Sequence, residues 1–227
     1  MDNLRQNHLS CVIITLNEEA NLRRLLPIIR PWSDDIVIVD SGSTDGTLEI
    51  AAQHGARVFS RPFDGDGPQK HFAVEQAKHD WVLTLDADEI PSKELLNEMS
   101  LFLDNHGDTS GAYLYYVNMF MGKILKQWGS REKHLRLFRK SCGQWNMKVV
   151  HGGVEVHGRT VTLKHEVIHY SFRDIKHLVN KMDHYAFIGA EQAVLKRKRP
   201  KSLPELFFRF VFRFTLLYLF RGLFRFG

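Results

Sequence analysis

The stretch Trp81-Val82-Leu83-Thr84-Leu85-Asp86-Ala87-Asp88-Glu89 decides how the chain is read. Its first five residues are apolar or β-branched, which suits a buried strand, and the run then ends in three carboxylates within four positions. A strand that ends this way needs something cationic beside it. In extended geometry Asp86 and Asp88 project to one face, and a slight bend after the strand brings both to one ion or to its water shell. The same letters also suit a solvated strand end followed by a helix, with Ser92 as its cap and Glu94 in its first turn. An isolated Asp-x-Asp does not separate these readings; what precedes it does.

Upstream, Leu9–Thr15 reads as a buried strand. Asn17, Glu18 and Glu19 then open a helix whose Leu22, Leu25, Leu26 and Ile29 keep helical spacing until Pro31. Asp35–Asp40 is a second strand, and the loop Ser41-Gly42-Ser43-Thr44-Asp45-Gly46-Thr47 leads into a helix through Leu48, Ile50 and Ala51. Ala56–Phe59 is a third strand, followed by the Gly-rich turn Asp64-Gly65-Asp66-Gly67-Pro68 and a helix from Gln69 to Lys78. Strand, loop and helix in regular alternation are the grammar of an α/β fold with a mostly parallel sheet flanked by helices. Ligands of such sheets bind outside the carboxyl ends of the strands, where the polar residues of this chain gather.

The second half has a different texture. Residues 111–117 and 134–139 read as strands, Val154–Val156 is expected to pair with Val167–Tyr170, and Asp174 to Leu195 has the spacing of one long helix. Charge is unevenly placed. Residues 196–227 hold nine Lys or Arg and one acid, Glu205, so the basic excess belongs to the tail and the preceding 195 residues are net acidic. A nucleic-acid binder would spread its cations over the folded body, and this chain does not. Cys11 and Cys142 have no metal-ligand spacing, and residues 1–10 lack an apolar core of signal-peptide length, so a reducing, cytoplasmic compartment is expected.

Three strand-end clusters, Thr15-Leu16-Asn17-Glu18-Glu19, Val39-Asp40-Ser41-Gly42-Ser43-Thr44-Asp45 and Leu85-Asp86-Ala87-Asp88-Glu89, stand in this order at successive strand ends. In that order they resemble the inverting glycosyltransferases of family 2, whose fold is the GT-A type, over roughly residues 9 to 195. The Asp-Ala-Asp-Glu ending, Gln69-Lys70 at a helix start and His169-Tyr170-Ser171-Phe172-Arg173-Asp174 are similar to bacterial lipopolysaccharide core glycosyltransferases, many of them β-1,4-glucosyltransferases using UDP-glucose. The resemblance implies a divalent metal, Mg2+ or Mn2+, held by Asp88 with Asp86 as partner and His169 completing the shell. It implies a nucleotide-sugar pocket of Thr15, Asn17, Glu18, Asp40, Ser43, Lys70 and Asp86, with Asp40 receiving the uracil or ribose and Lys70 facing the diphosphate. Such an ion neutralises charge developing on the diphosphate leaving group.

Inversion by single displacement also needs a carboxylate near the acceptor hydroxyl. The resemblance implies an acid straight after His151, and Gly152 and Gly153 follow instead. Glu89, Glu155 and His151 remain open as the base. In the tail, Arg209, Arg213, Arg221 and Arg225 fall on one half of a helical wheel and Phe208, Val211, Phe212, Tyr218, Leu219 and Leu223 on the other. The longest charge-free run there, Phe214 to Phe220, is too short to span a bilayer, so the tail is expected to lie in the interface of an anionic membrane surface. The expected protein is a GT-A domain over 1–195 with a basic amphipathic tail over 196–227. It is expected to act peripherally on the cytoplasmic face of the bacterial inner membrane, moving a hexose, with glucose from UDP-glucose implied by the resemblance, onto a lipid-linked saccharide such as the lipopolysaccharide inner core. A nucleotidyltransferase that makes nucleotide-sugars and a membrane-bound binding module without catalysis are the rival readings.

Overall fold

The computed structural model describes residues 8–120, 123–124, 132–147, 152–172 and 201–220, with single residues between 175 and 199. Two compact units result, Met1–Val117 with Glu132–Tyr170 and Asn118–Arg131 with Ser171–Gly227, so residues 171–195 group with the tail.

In the first unit β1 (Leu9–Thr15), β2 (Asp35–Asp40), β3 (Arg57–Ser60) and β4 (Trp81–Asp86) lie parallel in the order β3-β2-β1-β4. Helices α1 (Glu19–Ile29), α2 (Thr47–Gln53) and α3 (Asp66–Glu75) make the crossovers. Alternate residues of a strand face opposite sides, and both sides of β1, β2 and β4 are covered, which is why their interiors are apolar. Cys11, Ile13, Ile36, Ile38, Leu83 and Leu85 pack with Leu22, Leu25, Leu26 and Ile29 of α1. Val12, Val37, Val39 and Val82 pack on the other side with Ala73 and Val74 of α3. All four carboxyl ends therefore open toward one edge.

Beyond β4 the sheet changes direction. β5 (Glu89–Pro91) is followed by α4 (Lys93–Asp104), whose cap is Ser92: its Oγ accepts from Leu95 N at 3.1 Å. The strands β6 (Thr109–Phe120), β7 (Lys123–Ile124), β8 (Glu132–Arg139), β9 (Gly143–Trp145), β10 (Val154–Val156) and β11 (Arg159–Phe172) complete the set. β8 pairs antiparallel with β4, β6 with β8, and β11 with β5, giving the mixed order β3-β2-β1-β4-β8-β6-β11-β5, with β7 on β6. The expected pairing of Val154–Val156 with Val167–Tyr170 is corrected. The three residues of β10 close a local hairpin on β9, whereas Val167, Ile168 and His169 register against Pro91, Ile90 and Glu89. A short hairpin costs little loop entropy, and β5 offers the later segment an edge directly after the carboxylates.

In the second unit α5 (Leu203–Thr215) is capped by Ser202, whose Oγ accepts from Glu205 N at 3.4 Å, and it passes into a π-helical turn, Leu216–Phe220. Of the helix expected over 174–195, Ile175, Val179, Met182, Phe187 and Val194 are helical and exposed, and much of the rest lies outside the described residues. Among the described residues no helix is long and apolar enough to cross a membrane.

At the amino end of the parallel strands Asp35, 2% exposed, accepts from Ser10 Oγ at 2.6 Å, Lys78 N at 2.8 Å and Arg57 Nε at 2.9 Å. Burial works against its charge, and these donors outweigh it, holding the carboxyl below the usual carboxylate range. A folded value below the unfolded one gives stability that is present above the ordinary carboxylate value and is lost as pH falls through the folded one. Asp35→Ala is expected to cost about 2–4 kcal/mol in urea unfolding at neutral pH. The difference from the parent should shrink as the pH is lowered below about 4.

Candidate active site

The loop after β1 and the loop after β2 are tied through one buried carboxylate. Asp40 Oδ1 accepts from Thr15 Oγ1 at 2.9 Å and Ser43 Oγ at 2.5 Å, while Oδ2 accepts from Gly42 N at 2.9 Å and Ser43 N at 2.8 Å. Burial opposes its charge, but these hydrogen bonds win and hold its pKa low. Asn17 takes a left-handed backbone, φ 57°, which asparagine tolerates better than most residues. From there Asn17 N donates to Ser43 Oγ at 2.8 Å and Asn17 Oδ1 accepts from Thr44 N at 2.8 Å. Glu18 N donates to Thr47 Oγ1 at 2.8 Å. The structure thus brings Thr15, Asn17, Glu18, Asp40 and Ser43 together at adjacent strand ends, as the sequence suggests.

The carboxylates after β4 have separate fates. Asp86 faces Lys70, whose Nζ lies 2.7 Å from Asp86 Oδ1 and 2.8 Å from Asp66 Oδ1, with Arg136 Nη2 3.7 Å from Asp86 Oδ2. Burial opposes the Asp86 charge, and the Lys70 and Arg136 cations overcome it, so its pKa falls well below the usual range. Lys70 is 4% exposed and keeps its proton more firmly than an ordinary lysine: burial opposes this and Asp86 outweighs burial. Trp145 covers both cations, its ring 4.9 Å from Lys70 Nζ and 5.2 Å from the Arg136 guanidinium carbon. Among the described residues Arg136 Nη1, Trp145 Nε1 and Gln69 Oε1 are buried without a hydrogen-bond partner.

Asp88 meets a histidine. Its Oδ2 lies 3.3 Å from His169 Nε2, and its carbonyl accepts from Tyr170 N at 2.8 Å. The β11–β5 pairing sets this contact, since His169 registers opposite Glu89. Burial pulls the His169 pKa down, and the Asp88 contact more than restores it, leaving it raised. Asp86, expected as the partner of Asp88 at the ion, is engaged by Lys70 and Arg136, and its charge also reaches His169. His8, Asp34 and His79, whose ligand atoms do lie within 4.8 Å of one another, sit at the opposite, amino ends of β1, β2 and β4.

Of the three residues considered as base, Glu89 is 2% exposed. Its Oε2 accepts from Asp86 N at 2.9 Å and Tyr116 Oη at 3.3 Å, and Arg136 Nη2 lies 3.4 Å from Oε1. Burial pushes its carboxyl up to about 7, with Arg136 opposing the rise. These are the contacts of a carboxylate that positions Asp86 and Arg136. Glu155 is exposed, 3.4 Å from Asn146 Nδ2, and lines an open cleft of 780 Å³ with His71, Glu75 and His157 that takes in neither Lys70 nor Asp86. His151 lies outside the described residues. Sequence reasoning missed Arg136, Tyr116 and Trp145; the available signal was a lone cation between Leu135 and Leu137 in a strand.

Comparison with known proteins fits this geometry. The family model described as Glycosyl transferase family 2 matches residues 10–159. The uncharacterized glycosyltransferase RT0209 of Rickettsia typhi is 32% identical over 205 residues, 84% of this chain and 70% of that protein. The lipopolysaccharide core biosynthesis glycosyltransferase LpsC of Rhizobium meliloti is 30% identical over 227 residues, 96% of this chain and 83% of that protein. Among solved structures, S. aureus TarS 1-349 superposes with a TM-score of 0.50 at 19% identity, covering 72% of this chain and 60% of that one, a likeness of fold.

Because the folded Glu89 carboxyl sits above its ordinary value, the unfolded chain releases that proton first, and stability falls as pH rises from about 4.5 to about 7. Glu89→Gln should flatten that part of the profile in urea titrations. Glu89→Ala, which takes a partner from buried Arg136, should cost roughly 3–5 kcal/mol at neutral pH.

Proposed function

Because the chain belongs to glycosyl transferase family 2, we propose that it transfers a hexose, glucose from UDP-glucose, with inversion onto a lipid-linked saccharide such as the lipopolysaccharide inner core. The observation that carries this reading is the row of charges at the carboxyl ends of the parallel strands. Asp88 with His169 stands at one end, and Lys70, clamped between Asp86 and Asp66, at the other. The named role of LpsC in lipopolysaccharide core biosynthesis supports the acceptor class.

Asp40 and the loop it organises offer a polar pocket for the uracil and ribose, next to the exposed Asn17. Arg136 and Trp145 hold buried donors that lack acceptors among the described residues, and diphosphate oxygens are acceptors of the right kind. Lys70, already fixed beside them, supplies a localised positive charge. Asp88 Oδ2 and His169 Nε2, 3.3 Å apart, are spaced as two ligands of one divalent cation. An imidazole beside a carboxylate favours Mn2+ over Mg2+, which prefers oxygen alone. Such an ion, when bound, neutralises charge on the departing diphosphate. The nucleotidyltransferase alternative lacks the Gly-rich basic loop it needs after β1, where Asn17, Glu18 and Glu19 stand.

The tail extends the proposal to location, the cytoplasmic face of an inner membrane. α5 presents Phe207, Phe208, Phe210, Phe212 and Phe214 exposed, with Arg209 and Arg213 exposed beside them. An amphipathic helix of this make-up suits the interface of an anionic bilayer, with its phenylalanines in the acyl boundary.

Asp88→Ala should abolish transfer from UDP-glucose while the melting temperature stays within about 3 °C of the parent, since the side chain is partly exposed at a strand end and a surface change of that size is under roughly 0.5 kcal/mol. His169→Ala should instead raise the Mn2+ concentration needed for half-maximal activity by about 10–100-fold. A variant of either kind with the parent's activity and metal requirement removes the ion from this pair. For the tail, Arg209→Glu with Arg213→Glu should weaken binding to phosphatidylglycerol vesicles by more than about tenfold at low salt, at roughly 1 kcal/mol per cation. Neutral phosphatidylcholine vesicles should change far less, and equal losses on both would argue for packing rather than membrane attraction.

A further inference from the structure

We propose that Asp66 is the general base of the transfer, an assignment that rests on the glycosyltransferase reading above. Two glycines put it in position. Gly152, just before β10, lies so near the start of α3 that a Cβ on it would meet Gly67 Cα at 3.2 Å, Gly67 N at 3.3 Å and Asp66 Oδ2 at 3.4 Å. Gly65, ahead of the helix, has φ 132°, a conformation that glycine adopts without strain, and it delivers Asp66 as the first residue of α3. The backbones of Gly152 and Gly67 therefore approach without intervening side chains. The Asp66 carboxylate reaches the space that a side chain at position 152 would fill.

The electrostatics of the row single out the same group. Each of the other carboxylates there is engaged. Asp40 accepts on both oxygens from its own loop and Thr15, Asp86 faces Lys70 and Arg136, Asp88 faces His169, and Glu89 is buried against Tyr116 and Arg136. Among the described residues Asp66 is held through Oδ1, at 2.8 Å from Lys70 Nζ, with Arg136 also within reach of its charge, and its side chain is 30% exposed. One ammonium group thus stands between Asp66 and Asp86. A single displacement needs a proton acceptor across the anomeric carbon from the leaving group, and Asp66 Oδ2, on the Gly152 side rather than the Lys70 side of the carboxylate, is the oxygen assigned to that task. The acceptor's hydroxyl oxygen bonds to the anomeric carbon as the bond from that carbon to the diphosphate oxygen breaks. The electron pair of the broken bond leaves with UDP, and the hydroxyl proton passes to Asp66 Oδ2.

As an acid in the first turn of α3 paired with Lys70 four residues on, Asp66 also fits a purely structural role. The test must separate the two. Parent and Asp66→Asn are compared with UDP-[14C]glucose, Mn2+ and a delipidated lipopolysaccharide core oligosaccharide as acceptor, alongside calorimetry with UDP. The expected result is a kcat lower by about 10²–10⁴-fold, UDP affinity within about twofold of the parent, and loss of the acidic limb of the pH profile of kcat/KM. A variant that keeps kcat within about threefold and retains that limb overturns the assignment. If Asp66→Asn loses its fold, the decisive comparison is Asp66→Ala with and without sodium formate, a small carboxylate that can enter the vacated space. Recovery of tenfold or more in rate supports the assignment, and no recovery overturns it. A parent that transfers no glucose refutes the proposed reaction itself, whereas an active parent with an equally active Asp66→Asn refutes only the role of Asp66.

Discussion

The ammonium of Lys70 is the interaction on which the site depends. A buried cation is tolerable only where opposite charges meet it, and here Asp66 and Asp86 close on it from two elements, α3 and β4. Trp145 and Arg136 complete the enclosure. The arrangement fixes the end of β4 relative to the start of α3, and it uses the first carboxylate of the Asp-x-Asp pair internally. Asp88 is thereby left as the member turned toward a histidine, so the two aspartates divide between an internal clamp and a contact with His169.

The sheet's change of direction gives the division its geometry. Parallel strands alone would line up loops at one edge and leave Asp88 facing solvent. The antiparallel return of β11 onto β5 sets His169 opposite Glu89 and within 3.3 Å of Asp88, while β8, antiparallel on β4, inserts Arg136 between Asp86 and Glu89. Glu89 then carries the burial cost for the group, its carboxyl pushed up to about 7 while that of Asp86 is held low. Both acids are buried, and the shifts part because the cations outweigh burial at Asp86 while burial, helped by the Asp86 charge, outweighs them at Glu89.

The sequence by itself determined the parallel half of the fold. Strand and helix periods, the apolar runs of β1, β2 and β4, and the polar residues at their carboxyl ends are local properties, set by residues a few positions apart. Thr15, Asn17, Glu18, Asp40 and Ser43 were legible for the same reason, because parallel strands that are neighbours in sequence bring their ends together. Only the tertiary structure decided which partner each carboxylate meets. His169 lies far along the chain from Asp88 and Arg136 far from Asp86, and strand register between such distant segments depends on which edge is open when they pair. The mispairing expected for Val154–Val156 arose from this, as did the absence of Arg136 and Trp145 from the residues singled out by pattern. A side chain's local spacing fixes the face it occupies, but the charge waiting on that face belongs to another part of the chain.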